Sequence, residues 1–454
     1  MRIFRHHIEL RLFALGLTEA GILFACFYIG YFARYADLEF LAAELRAHLS
    51  SALTYVLVMM ASFLALGLYE RAAVGDMGVV TIRLLAAFLG GFVLLAVTFY
   101  LLPGLKIWRS GLVIATPASF ALILLVRRLF LWLVDREALS RRLLVLGDPG
   151  PIADLRACER RIGLAPFHVV RAITLDQVPH RANDDSWLLE TCRAAGAEEL
   201  VVAAVERRGR LPMPALLRCR LAGIPVYEYH DFYERWTGRV DLERLQPGWL
   251  IFNDGFGHGK VDAIAKRLFD VVLAGSGLVL SAPLLLLAGL AIKLEDGGPI
   301  LFRQERVGRN GIPFEILKLR SMRLDAERDG PRWAAVGDRR VTRVGRILRR
   351  TRIDELPQLV NVLKGEMSFV GPRPERPVFV QRIIEVLPYF AVRHQLRPGL
   401  AGWAQLNHPY AAGLEDTRVK LEYDLYYIKN RSLFLDILII AQTLRVIVWG
   451  NGAR

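Results

Sequence analysis

The chain has 454 residues, 54% of them hydrophobic, which is length enough for roughly two to four folding units. Its mean hydropathy of +0.32 excludes an ordinary soluble globular enzyme and calls for a membrane part. The net charge of +14 is concentrated, with 15 Lys/Arg against 6 Asp/Glu between Leu301 and Arg352. Such a surface suits phosphates and anionic headgroups, and the lack of an accompanying nucleic-acid-binding motif argues against nucleic acid as the partner.

In chain order, four apolar stretches come first: Arg11 to Arg34, broken only by Glu19, then Ala47 to Tyr69, Leu84 to Leu105, and Ser110 to Val126 with its continuation past Arg127-Arg128. Each is near the length of a spanning helix, so residues 1–136 are expected to form a four-helix transmembrane bundle. No small-residue cleavage site follows the first stretch, which therefore reads as an uncleaved anchor. Arg2, Arg5 and Arg11 precede the bundle, and Arg127, Arg128, Arg136, Arg141 and Arg142 follow it, which puts both ends in the cytoplasm.

Residues 137–258 read as a cytoplasmic Rossmann-like α/β domain. Leu143 to Gly147, Val169 to Ile173, Leu200 to Val205 and Ile224 to Tyr227 are strand patterns alternating with helical ones. The turn Gly147-Asp148-Pro149-Gly150 is not GxGxxG, and Pro149 and Pro151 remove amide donors that a pyrophosphate would use. A regulatory or oligomerising module is the expected role, and a homodimer stays open. The cysteines Cys26, Cys158, Cys192 and Cys219 lie at no metal-ligand spacing and fit a reducing compartment.

Residues 259–454 begin with a fifth apolar stretch, Val271 to Ile292. Lys266-Arg267 stands before it and Lys293, Arg303 and Arg306 follow. Basic residues on both flanks, with Ser281-Ala282-Pro283 in the middle, favour a re-entrant helical hairpin over residues 266–293, the serine hydroxyl satisfying a freed carbonyl. An ordinary fifth span with a proline kink is the alternative.

Short motifs then crowd together. Among them are Gly298 to Gly308, Lys318-Leu319-Arg320-Ser321-Met322, Thr351 to Leu359 around Asp354-Glu355, Asn361 to Gly365, Met367 to Pro374 with Gly371-Pro372-Arg373-Pro374, and Arg397 to Asn407. Arginines set beside Gly and Pro match phosphate geometry, and no GxxxxGK[ST] is present. Asp354 and Glu355 are hard oxygen donors for Mg²⁺, and a carboxylate can also attack phosphorus. Asp354, three residues before Pro357, reads equally as a helix N-cap. Gly399, Gly402 and Trp403 read as a turn and an aromatic packing or interface anchor, and Tyr423, Tyr426 and Tyr427 as core or bilayer-surface residues.

From about Lys266 to Trp449 these motifs closely resemble the polyprenyl-phosphate hexose-1-phosphate transferases, the bacterial sugar transferase family. The four spans and the middle domain resemble its larger, exopolysaccharide-initiating members, and Trp249 to Phe256 looks like the exosortase-associated branch. The resemblance implies a C-terminal monotopic, α-rich catalytic domain on the cytoplasmic face of the bacterial inner membrane, with amphipathic helices along the lipid. It implies a UDP-sugar and undecaprenyl phosphate as substrates, UMP as product, and Mg²⁺ as cofactor. Asp354 would be the nucleophile and Glu355 its Mg²⁺-linked partner, so both count as candidate metal ligands. Lys318, Arg320, Arg352 and Arg373 would contact phosphate or nucleotide, and Lys266, Arg267, Asp270, Ser281 and Pro283 would shape the hairpin. Ser-Ala-Pro in place of Ser-Pro, and Ala401 in place of a frequent Thr, are small departures. A scaffold without activity and a phosphatase are the competing functions.

Overall fold

The computed structural model describes residues 2–3, 6–7, 10–35, 48–69, 77–101, 109–133, 140–161, 167–178, 185–204, 210–245, 248, 255, 259–326, 328, 338–408 and 413–449. Most of Trp249 to Phe256, on which the exosortase-branch reading rests, lies outside them. The chain divides into two compact units, one over His7–Arg244 and one over Leu245–Arg454 together with Arg2–His6.

The first unit opens with helices α1 (Leu10–Tyr35), α2 (Leu49–Ala65), α3 (Met77–Leu101) and α4 (Arg109–Leu133). Among the described residues, segments of α1, α3 and α4 and the later helix Lys260–Asp296 are long and apolar enough to cross a membrane. The expected second span is shorter, a helix of 17 residues. It stops where Gly67 takes a left-handed φ of 66° and the Leu68 amide donates back to the Phe63 carbonyl at 3.1 Å, a six-to-one closure that ends helices.

Two of the charges that interrupt the apolar pattern neutralise each other. Arg127 Nε lies 2.6 Å from Glu19 Oε1, with both side chains almost fully buried. Arg127 also donates to the Leu68 carbonyl at 2.9 Å, and the Tyr69 hydroxyl donates to Glu19 at 2.5 Å. Arg127 is therefore an interior clasp of the bundle rather than one of its flanking charges. A carboxylate in lipid needs such a partner.

The α/β part follows in the same unit. Strands β1 (Arg141–Gly147), β2 (Phe167–Thr174), β3 (Glu199–Ala203) and β4 (Val226–Glu228) form one parallel sheet in the order β2-β1-β3-β4. Helices α5 (Pro149–Arg161), α6 (Trp187–Ala194), α7 (Met213–Leu221) and α8 (Tyr229–Thr237) belong to this part. The four strands fall on the expected segments. At the end of β1, a Cβ on Gly147 would come within 2.2 Å of the Ala203 carbonyl, and the Asp148 amide donates to that same carbonyl at 3.0 Å. That amide is thus committed to protein backbone.

In the second unit, α9 (Lys260–Asp296) is one helical run with Pro283 inside it. Its apolar middle is open: Val279, Leu280, Leu286 and Leu287 are all exposed. Ala274 and Leu278 pack with Ile316, Leu359, Val362 and Met367. Ala288 and Ile292 pack with Leu319 and Leu348. Both halves of the helix therefore rest on the same body. The Ser281 hydroxyl donates to the Leu278 carbonyl at 3.3 Å. It does not take the Val279 carbonyl, the one that Pro283 frees by lacking an amide.

That body contains the antiparallel pair β5 (Leu301–Val307) and β6 (Pro313–Leu319), helix α10 (Arg343–Arg350), a 3₁₀ turn Ile353–Glu355, and helix α11 (Gln358–Lys364). Strand β7 (Ser368–Val370) and helix α12 (Pro377–Val386) come next. Strand β8 (Gly399–Ala401) pairs in parallel with β7, and helices α13 (Trp403–Asn407), α14 (Leu414–Asn430) and α15 (Leu433–Trp449) follow. Trp403 stacks on Tyr426 with ring centroids 5.8 Å apart, and Tyr426 and Tyr427 are buried, in line with the packing and core roles expected of them.

Candidate active site

The KRLFD segment, Lys266 to Asp270, seats α9 on the body. Arg267 donates to the carbonyls of Val362 and Leu363 at 2.6 and 2.7 Å, covering the end of α11 where carbonyls lack helical partners. Lys266 lies 3.0 Å from Asp270 and 2.9 Å from Asp436. Asp270 accepts the Phe369 amide at 3.1 Å, and the Tyr427 hydroxyl donates to Asp436 at 2.7 Å. This segment thus ties α9 to β7, α14 and α15.

Asp354 and Glu355 lie in the 3₁₀ turn between α10 and α11. Arg352, just before it, holds a left-handed φ of 59°, a conformation that costs a non-glycine residue and often marks a functional turn. The N-cap reading of Asp354 is not what forms: Pro357 occupies the cap of α11, with no side-chain hydrogen bond. Asp354 is 6% exposed, and its Oδ1 is buried with no hydrogen-bond partner among the described residues. Glu355 is the opposite case. Its Oε1 receives Lys318 at 3.1 Å and Arg373 at 2.9 Å, with Arg352 at 3.9 Å.

The electrostatics follow from this asymmetry. Burial pushes the Asp354 carboxyl up to about 6, and the neighbouring Glu355 charge adds to the rise, while Lys318, Arg349 and Arg352 oppose it. Burial also acts to raise Glu355, but Lys318, Arg373 and Arg352 outweigh it and hold the carboxyl far below the carboxylate range. Burial lowers Lys318, with Glu355 opposing. Two adjacent carboxyls thus have separated proton affinities, the pattern that assigns different roles to like groups.

Of the four expected phosphate contacts, Lys318, Arg352 and Arg373 converge on Glu355. Arg320 pairs instead with Asp296 at the end of α9, and its own amide donates to the Ile300 carbonyl at 2.9 Å. The role of Asn361 escaped the sequence reading. Its amide nitrogen donates to the Glu315 carbonyl and to Glu366, both at 2.7 Å, and its oxygen accepts the Leu317 amide at 3.0 Å. An asparagine inside the apolar run Leu359-Val360-Asn361-Val362-Leu363 was the available signal, because a buried amide must be satisfied.

Among the described residues, no three His, Cys, Asp or Glu side chains gather into a metal cage. Mg²⁺ does not need one, since it commonly takes one or two carboxylates with substrate phosphates. The free Asp354 oxygen fits that demand, whereas Glu355 Oε1 is already held by cations.

Cations that converge on one carboxylate, and leave its neighbour's buried oxygen unpartnered, in a body that also seats an exposed apolar helix, suit a group-transfer enzyme acting on phosphates next to lipid. Comparison with known proteins gives the family: the chain belongs to the bacterial sugar transferases, whose family model matches residues 261–450. The UDP-glucose:undecaprenyl-phosphate glucose-1-phosphate transferase of Caulobacter vibrioides is 50% identical over 194 residues, 42% of this chain and 72% of that one. The UDP-N-acetylgalactosamine-undecaprenyl-phosphate N-acetylgalactosaminephosphotransferase of Aeromonas hydrophila is 47% identical over 239 residues, 53% of this chain and only 56% of that one. The exopolysaccharide production protein PSS of Rhizobium leguminosarum is 41% identical over 191 residues, 40% of this chain and 94% of that one.

Proposed function

We propose that this chain transfers a hexose-1-phosphate from a UDP-sugar to undecaprenyl phosphate and releases UMP, with Asp354 as the nucleophile. The observation that carries this reading is the buried, unpartnered Asp354 oxygen beside a Glu355 fixed by Lys318 and Arg373. Asp354 Oδ1 attacks the phosphorus that bears the sugar, and the bond from that phosphorus to the UMP oxygen breaks. The phosphosugar stays on Asp354 as an acyl phosphate. A lipid-phosphate oxygen then attacks the same phosphorus and releases the Asp354 carboxylate. The raised proton affinity of Asp354 makes it a better nucleophile than its neighbour while leaving it largely ionised at neutral pH. Arg373 and Lys318 supply positive charge where the phosphate charge shifts. Asp354, together with substrate phosphate oxygens, would hold Mg²⁺, which would supply further charge neutralisation.

The docking of both halves of α9 on one body supports a re-entrant anchor that enters and leaves at the cytoplasmic face of the inner membrane. The relatives' names support transfer of a sugar phosphate to undecaprenyl phosphate, and the Rhizobium protein's name points to exopolysaccharide production, so the proposed step is the first membrane step of that synthesis.

The test uses a UDP-sugar labelled in its β-phosphate. Without lipid, label should stay on the denatured protein in an amount close to the enzyme concentration and be lost to hydroxylamine. Asp354→Asn should abolish it. Wild-type transfer to lipid through a ternary complex, with no labelled protein at any time, would reduce Asp354 to a metal ligand or base.

A further inference from the structure

Arg373 stands between two prolines, Pro372 and Pro374, neither of which has a backbone amide to hold the turn. The turn is held by its carbonyls instead. The Gly399 amide donates to the Pro372 carbonyl at 2.9 Å and the Val307 amide to the Glu375 carbonyl at 2.9 Å. Arg306 donates to the Pro374 carbonyl at 3.1 Å, and Arg393 to the Arg373 carbonyl at 2.7 Å. Four successive carbonyls are thus clamped from β5, β8 and the 3₁₀ segment Phe390–Gln395.

The Arg393 clamp has its own counter-charge. The nitrogen that reaches Arg373 also lies 2.9 Å from Asp424 of α14, and both side chains are more than nine-tenths buried. The guanidinium sits over the Phe390 ring, 4.9 Å from its centroid. The charged groups around Asp424 are Arg393, Lys420 and Glu375.

We propose that the buried pair Arg393–Asp424 is a positioning device for the transfer reaction: it fixes the backbone at Arg373 so that this guanidinium stays aimed at Glu355 and at the substrate phosphates. The proposal rests on the transferase reading above. The physical case is that a buried ion pair adds little net stability over an apolar pair of similar volume. It does supply a charged donor for one particular carbonyl, and a charge-assisted donor holds a carbonyl tighter than a neutral one. Catalytic groups lose much of their effect when displaced by as little as 1 Å, so a second residue that fixes Arg373 acts on rate without touching substrate.

The experiment uses the full chain in nanodiscs, with a UDP-sugar and undecaprenyl phosphate. Arg393→Met and Asp424→Asn should each lower kcat/KM by about 10- to 100-fold, and Arg393→Lys should recover much of the loss. Because burying one charge alone can unfold the body, the charge-free pair Arg393→Met with Asp424→Leu is made as well. It should keep a wild-type melting temperature and still be slow. In an Arg373→Ala background the Asp424→Asn change should cost little more, since the group it positions is gone. A folded charge-free pair with wild-type kcat/KM would overturn the proposal, as would a full multiplicative penalty in the Arg373→Ala background. Failure of the wild type to transfer would instead overturn the transferase reading.

Discussion

Asn361 and Leu317 are joined across the edge of β6, where the Asn361 carboxamide oxygen accepts the Leu317 amide at 3.0 Å. Lys318 is the next residue, and its ammonium meets Glu355. One buried asparagine in α11 therefore sets the strand that delivers a site cation to the acidic pair.

Replacing this residue with Asn361→Leu removes the acceptor for Leu317 and the donor for Glu315. Leaving a buried polar group unmet costs about 1–3 kcal/mol, so the melting temperature should fall, and kcat should fall with it because Lys318 is displaced. An unchanged melting temperature together with unchanged kcat would show that β6 keeps its place without this bond.

The proton affinity of Asp354 predicts the acid limb of the reaction. The nucleophile must be ionised, and its carboxyl is raised to about 6. Single-turnover labelling should therefore be suppressed near pH 5 and rise as pH increases through 6. Glu355→Gln removes a negative neighbour that raises Asp354, so the limb should move to lower pH even as the rate drops. A limb moving upward in that variant would contradict the assigned cause.

The seat of α9 depends on Lys266, which lies between Asp270 and Asp436. Lys266→Met leaves two buried carboxylates without their shared cation. Breaking a buried pair in this way costs about 3–5 kcal/mol. Thermal unfolding in detergent should show the loss, and a variant as stable as wild type would mean that water or a rearrangement replaces the lysine.

Membrane topology is open to a labelling test. Single cysteines replacing Asp262 and Gly311, before and after the apolar part of α9, should both resist a membrane-impermeant thiol reagent outside intact cells if the helix enters and leaves on one face. Labelling at position 311 alone would show a complete crossing.

Hydropathy and spacing were enough to locate the apolar helices and the parallel α/β part, because these signals are local: an apolar run or a strand period is set by neighbours in the chain. The acidic pair was singled out by its motif and the family resemblance, since an Asp-Glu pair reads equally as a helix cap. Glu19 and Arg127 show the limit of such reading. Each looked like a separate interruption, or a flank, until the bundle brought the two together across 108 positions. Lys318 and Arg320 sit in one short motif, yet the first reaches Glu355 and the second Asp296. Asp354 and Glu355 are adjacent and chemically alike, yet their proton affinities shift in opposite directions. Only the tertiary structure decides this, because a carboxylate's proton affinity depends on its burial and on which distant charges the fold places beside it.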